Sequence, residues 1–156
     1  FPVIKAAKIR GLVFFDAEDQ GNIPGWDWIL GSRAMAASLP DAPNRPEAVV
    51  ILDMIGDADL NIYMERNSNE AITREIWSVA AELGYANQFI HQNKFAMLDD
   101  HTPFLELGIP AVDIIDFDYD YYHSTQDTLD KVSAKSLEAV GRTMQRWIMV
   151  RQHNSK

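Results

Sequence analysis

The sequence predicts an α/β fold, a three-layer α/β/α sandwich around a mostly parallel mixed sheet. Two observations carry that expectation. Short, almost wholly apolar runs at residues 9–15, 48–54 and 109–116 are bounded by turn residues and acids, the pattern of strands covered on both faces. Between them, apolar residues recur at the 3.6-residue spacing of helices that lie on such a sheet. The chain has 156 residues, 47% of them hydrophobic, enough for one domain with a substantial core. It is read as a single domain over residues 1–156.

The first strand is Ile9 to Phe15, and acids close it at Asp16, Glu18 and Asp19. Gly21, Pro24 and Gly25 with Trp26 and Trp28 read as a loop. Ser32 is the expected N-cap of a helix over residues 33–39, and Pro40, Pro43 and Pro46 make a linker that cannot be helical. Residues 48–54 form the second strand and residues 60–64 a short third one. Ser68 or Asn69 caps a helix with apolar positions Ile72, Ile76, Val79, Ala80 and Leu83, closed by Gly84. Residues 85–98 read as a loop in which Phe89, Ile90 and Phe95 pack. Thr102-Pro103 starts a short helix that Gly108 stops. Residues 109–116 are the last strand. Ser133 caps a final helix with face Leu137, Val140, Met144 and Ile148, Trp147 beside it, and Arg151 favourably placed in its last turn.

The totals exclude several function classes. A net charge of -9 argues against nucleic acid or an anionic membrane surface as partner. Without cysteine there is no disulfide framework, thiolate metal site or cysteine nucleophile. No apolar run is long enough to span a bilayer, and no signal-peptide pattern is visible. The chain begins at Phe1 rather than Met, which is read as a processed or truncated piece.

Chemistry-bearing residues fall directly after the strands. Glu18-Asp19 follows the first, Asp53 ends the second, and His123 follows the last. Ligands of open α/β sheets gather at the carboxyl ends of the strands, so these groups are expected to converge. One histidine and two carboxylates suit zinc, and a further glutamate suits a general base. Read singly, each residue has an ordinary account. Glu18 and Asp19 fit turn acids, Asp53 a loop cap, and His123 a packed histidine among tyrosines. Asp99 and Asp100 fit helix N-terminal acids, His91 and His153 surface residues, and Trp26, Trp28 and Trp147 core or groove-lining side chains.

Taken together, six motifs occur in a fixed order. They are Phe14-Phe15-Asp16-Ala17-Glu18-Asp19, Gly31-Ser32-Arg33, Leu52-Asp53-Met54-Ile55-Gly56, Asp99-Asp100-His101-Thr102-Pro103-Phe104-Leu105, Gly108-Ile109-Pro110 and His123-Ser124-Thr125-Gln126-Asp127-Thr128. In this order the chain resembles the zinc-dependent exopeptidase superfamily. It is most similar to the branch holding bacterial aminopeptidases and glutaminyl-peptide cyclotransferases. The resemblance implies Glu18 as catalytic general base and Asp19 and His123 as zinc ligands. Asp53 is implied to bind a second zinc in the two-metal aminopeptidases, or to join a hydrogen-bond network beside a single zinc in the cyclases. Asp99 is implied to hydrogen-bond near the reacting group, with Asp100, His101, Tyr122, Trp26 and Trp28 behind the metal or on the substrate side. Asp127 is read as structural.

The resemblance further implies zinc, one or two ions in the complete domain, peptide N-termini as substrate, and an extracytoplasmic or secreted location. The family's earlier histidine and bridging aspartate have no counterpart among residues 1–8. The chain is therefore expected to be the carboxyl-terminal portion of a catalytic domain, weak or inactive alone, with homo-oligomer formation through an exposed sheet edge as an expected association. An aminopeptidase-type hydrolase ranks first, because hydrolases are the larger part of the superfamily. Glutaminyl cyclisation is the alternative, supported by the Gly25-Trp26-Asp27-Trp28 loop and opposed by Tyr122, where similar cyclases carry Trp. A non-catalytic binding or assembly module on the same fold is the reading from another class.

Overall fold

The computed structural model describes residues 11–19, 22–39 and 45–154, with no side-chain description for residues 153 and 154. Helix α1 spans Leu30–Ser38, strand β1 Val49–Asp53, β2 Ile62–Met64 and helix α2 Glu70–Glu82. Strand β3 (Phe89–Asn93), helix α3 (Thr102–Glu106), strand β4 (Ala111–Ile115), a 3-10 turn (Leu129–Lys131) and helix α4 (Ala134–Asn154) complete the order.

The strands pair in parallel. β1 runs beside β4 with Val49 opposite Ala111 and Asp53 opposite Ile115. β2 runs beside β3, with an irregularity between Tyr63 and Met64, and β2 lies alongside β4. Side-chain alternation on the strands sorts the layers. Val112 and Ile114 of β4 face a core with Ile72, Ile76 and Trp77 of α2 and Val140, Met144 and Trp147 of α4. Ala111 faces the other way, with Ala36 of α1, Phe104 of α3 and Ile109. α2 and α4 thus cover one side of the strands and α1 and α3 the other. β4 is buried at every position, as a central strand covered on both faces should be.

Helix ends follow local chemistry. The Asn69 side chain caps α2 by accepting from Ile72 N–H at 3.1 Å. Gly84 (φ 87°) and Gly108 (φ 68°) take left-handed conformations just past α2 and α3. Ser133 Oγ accepts from Lys135 N–H at 3.2 Å at the start of α4. Arg151 in the last turns of α4 pairs with Glu75 of α2 at 2.8 Å.

Several expectations are corrected. Residues 11–15 are not a strand: Leu12 is 80% and Phe14 89% exposed, because these residues meet no laddering partner among the described residues; Ile9 and Arg10 lie outside those residues, as do Gly21, Pro40 and Pro43. Ser32 is not an N-cap. It sits buried inside α1, and its hydroxyl donates back to the Ile29 carbonyl at 3.0 Å. Residues 89–93 form strand β3 rather than loop, since Phe89 packs edge-on against Trp77, ring centroids 5.2 Å apart. Trp77 Nε1 also donates to Ile90 O at 3.0 Å. Thr102 is the first helical residue of α3 rather than its cap. Leu137 is 45% exposed, outside the buried face expected for α4.

One buried carboxylate ties these layers together. Glu65, just after β2, is 4% exposed. It accepts from the N–H groups of Asn67 at 2.9 Å, Ser68 at 2.7 Å and Met97 at 2.8 Å, and from Ser68 Oγ at 2.8 Å. His101, fully buried, faces it with Nε2 at 3.4 Å. Burial alone would raise the Glu65 pKa, but the His101 contact and these donors outweigh it and hold it down at about 2. A carboxyl held below its unfolded value contributes stability above that value and loses it as pH falls toward the folded one. We predict that Glu65→Gln costs on the order of 3 kcal/mol at neutral pH. The gap to wild type should narrow between about pH 4.5 and about pH 2. Urea unfolding across that range measures it.

Candidate active site

The site is built where strands end and one helix begins. α1 has no side-chain N-cap bond. Its first amides instead meet the carbonyls of the preceding segment: Ile29 N–H donates to Glu18 O at 3.0 Å, Leu30 N–H to Ala17 O at 3.2 Å and Gly31 N–H to Asp16 O at 3.2 Å. Orphan amides at a helix N-terminus need acceptors, and here supplying them aims Glu18 and Asp19. Gly31 makes this possible. A Cβ at that position would stand 2.5 Å from Asp16 O and 3.0 Å from Asp16 N.

Asp53 closes β1, and its Oδ1 accepts from Met54 N–H at 2.9 Å. Asp99 precedes α3 and is 5% exposed. His123 stands in the loop after β4, which is tied by Tyr119 OH donating to Asp127 Oδ1 at 2.6 Å. Ala17 (φ 51°), Met54 (φ 45°) and His123 (φ 56°) adopt left-handed backbone, unusual for residues with a Cβ.

These segments line an open cavity of about 510 Å³. Glu18, Asp19, Asp53, Asp99, Asp127 and His123 are its polar lining, with Asp19, Asp127 and His123 exposed to solvent. Trp28, Met54, Met97, Leu98, Ile115, Phe117 and Tyr122 give it apolar walls. His123 Nε2 lies 2.9 Å from Asp19 Oδ1. The Phe117 and Tyr122 rings pack at 5.3 Å, and Tyr122 packs on His123 at 5.0 Å.

The acids crowd one another. Burial, then the adjoining Asp19, then the charges of Asp99 and Asp53 push Glu18 up to about 8. Burial, with Asp53 and Asp100 nearby, raises Asp99 to about 6. Burial likewise raises Asp53. A glutamate whose proton is exchangeable near neutrality has the property a proton carrier needs.

Of the residues singled out by sequence, Glu18, Asp19, Asp53, Asp99, Asp127, Tyr122, Trp28 and His123 share this cavity. Three others do not line it. Trp26 is 50% exposed and turned to solvent. Asp100 and His101 are buried, His101 between Glu65 and Asp113, because α3 packs its first turn inward. Met54, Met97, Leu98, Ile115 and Phe117 were not anticipated as walls. Apolar residues beside strand ends give no sequence signal that separates a cavity wall from core.

The donor chemistry suits zinc. Asp19 and His123 offer oxygen and nitrogen at 2.9 Å from each other, and crowded carboxylates that raise one another's pKa are relieved by a divalent cation. Among the described residues, no group of three His, Asp or Glu side chains is arranged to hold a metal ion.

The Gly31 contact is testable. Gly31→Ala should push the 16–19 segment off α1 and cost about 1–3 kcal/mol in stability, with a fall in zinc affinity if Asp19 is a ligand. Thermal melts and calorimetric zinc titration of the two proteins check this.

The sequence model of "Peptidase family M28" matches residues 8–148. A glutaminyl-peptide cyclotransferase of Boiga irregularis is 24% identical over 88% of this chain and 44% of its own length. The crystal structure of an Acidobacteriales bacterium glutaminyl cyclase superposes with a TM-score of 0.81 at 33% identity, over 88% of this chain and 50% of that one. A Zn-dependent exopeptidase from Parabacteroides distasonis superposes at 0.78 with 31% identity, over 86% and 52%. The chain therefore spans about half the length of these relatives, and it belongs to peptidase family M28.

Proposed function

We propose that this chain contributes Glu18, Asp19, Asp53 and His123 to a zinc site acting on the N-terminal residue of a peptide, and that the reaction is cyclisation of N-terminal glutamine. The observation that carries the reading is Glu18. It lines the cavity beside the Asp19–His123 pair, where a carboxylate can both accept and return a proton. The likeness to cyclotransferases in sequence and structure moves cyclisation ahead of hydrolysis, which the size of the superfamily ranked first.

Zinc held by Asp19 and His123 would supply Lewis acidity to the substrate carbonyl. Glu18 accepts a proton from the α-amine as its nitrogen bonds to the γ-carbonyl carbon. It then delivers that proton to the departing amide nitrogen, and ammonia leaves. Asp99, which holds its proton up to about pH 6, faces the same space as a hydrogen-bonding group. Trp28, Phe117 and Tyr122 offer apolar surface on which the substrate side chain can rest beside the polar groups.

A second reading is favoured by two observations. Tyr122 stands before His123 where the cyclases that the chain resembles carry Trp, and a Zn-dependent exopeptidase shares the fold. In that reading Glu18 takes the proton of a water molecule, and a free N-terminal residue is released.

Mass-spectrometric product analysis on a glutamine-initiated peptide separates the two, using the protein as encoded by its own gene. Loss of ammonia is expected; release of free glutamine would establish the aminopeptidase reading, and no turnover of any peptide would overturn both. Glu18→Gln should lower kcat about 100- to 10,000-fold while zinc content is retained. Calorimetry on the 156-residue chain should show weak zinc binding, since Asp19 and His123 are too few for a tight site, and His123→Ala should abolish it.

A further inference from the structure

We propose that a buried polar ring, Glu65–Ser68–Asp113–His101, positions the Met97–Leu98–Asp99 wall of the cavity, with Glu65 and His101 as positioning residues. Their effect on catalysis rests on the function proposed above; their grip on the wall does not.

The ring closes on itself. Ser68 Oγ donates to Glu65 Oε2 at 2.8 Å and accepts from Asp113 N–H at 2.9 Å. Asp113 Oδ2 lies 3.7 Å from His101 Nδ1, and His101 Nε2 lies 3.4 Å from Glu65 Oε2. It thereby joins the end of β2, the start of α2, the middle of β4 and the start of α3.

From Glu65 of this ring and from the adjoining Asn67 the cavity wall is gripped twice at one residue. Met97 N–H donates to Glu65 Oε1 at 2.8 Å, and Met97 O accepts from Asn67 Nδ2 at 2.9 Å. Met97, Leu98 and Asp99 all line the cavity. His101, two residues beyond Asp99, is 0% exposed and fixes the other end of the segment. The wall is thus a short bridge, pinned at Met97 and at His101, with Asp99 between the pins.

The chemistry of the ring favours positioning over stability. The His101 nitrogens and both Asp113 carboxyl oxygens are buried without a full hydrogen bond. Each such group carries a desolvation cost, and apolar side chains of similar volume would fill the space at least as stably. Two carboxyls and an imidazole at fixed separations give a unique register that apolar packing does not.

The test uses two substitutions with different reach. Glutamine at 101 can place its amide nitrogen near the position of Nε2 and keep a donor toward Glu65; asparagine is too short and keeps only the side facing Asp113. In the protein as encoded by its own gene, His101→Asn should lower kcat/KM about tenfold or more and His101→Gln less than about threefold. In an Asp99→Asn background, His101→Asn should cause no further loss, because both act through one wall. Equal losses for the two variants, or losses that multiply with Asp99→Asn, would overturn the proposal. A readout independent of turnover is amide hydrogen exchange. His101→Asn and Glu65→Gln should each speed exchange at Met97 about tenfold or more beyond any rise at the amides of α4, which report the loss of global stability. Unchanged exchange at Met97, or a uniform rise across the chain, would refute the grip itself. Absence of turnover in wild type together with the local exchange change would refute only the reaction.

Discussion

A carboxylate withdrawn from water must be met by donors, and Glu65 is met from three separate segments of chain. Asn67 and Ser68 come from the turn into α2, Met97 from the stretch after β3, and His101 from the start of α3. Met97 lies 32 residues from Glu65 in sequence, so satisfying this one group fixes the turn into α2 against the stretch that runs from Met97 to His101. The apolar core built on α2, α4, β2 and β4 supplies the bulk of the driving force, yet it tolerates small slides. The directional bonds of Glu65 do not, and they connect that core to the polar end of the sheet.

On the opposite edge of the cavity the backbone does the same work by other means. The first amides of α1 take carbonyls of residues 16–18 in place of a cap. The approach that allows it depends on the missing side chain at Gly31. Helix, turn and catalytic candidates are therefore one unit: α1 satisfies its own end by holding Glu18 and Asp19 toward His123. Acid crowding then follows from placement, and with it the raised pKa values of Glu18 and Asp99 that motivate a proton-carrying role.

Much of this was legible in the residues. Strands β1 and β4 read clearly because central parallel strands are apolar on both faces, and α2 reads from its period and from Asn69. The order of the six motifs was enough to gather Glu18, Asp19, Asp53, Asp99 and His123 around one cavity. What escaped had physical reasons. Residues 9–15 carry a strand pattern, but a strand exists only with a neighbour to bond, and the described part of this segment meets none. β3 ends in His91, Gln92 and Asn93, so its edge position hides its period. Asp100 and His101 look like surface helix-start residues. Their burial depends on Glu65 and Asp113, which lie 36 and 12 residues away from His101 in sequence. A buried polar partnership of that span leaves no local pattern.

The left-handed residues beside the site have a further meaning. Ala17, Met54 and His123 each adjoin or carry a group that faces the cavity, and each holds a conformation that a side-chain-bearing residue avoids by about 1–2 kcal/mol. Glycine at any of these positions would relax the backbone, and at Ala17 and Met54 it would leave the acids in place. The chain nevertheless carries bulkier residues there. A stiffer turn narrows the directions in which Glu18, Asp53 and His123 can swing, so the sequence here trades ease of folding for fixed aim. Variants selected only for heat resistance would drift toward glycine at these turns and lose that aim first.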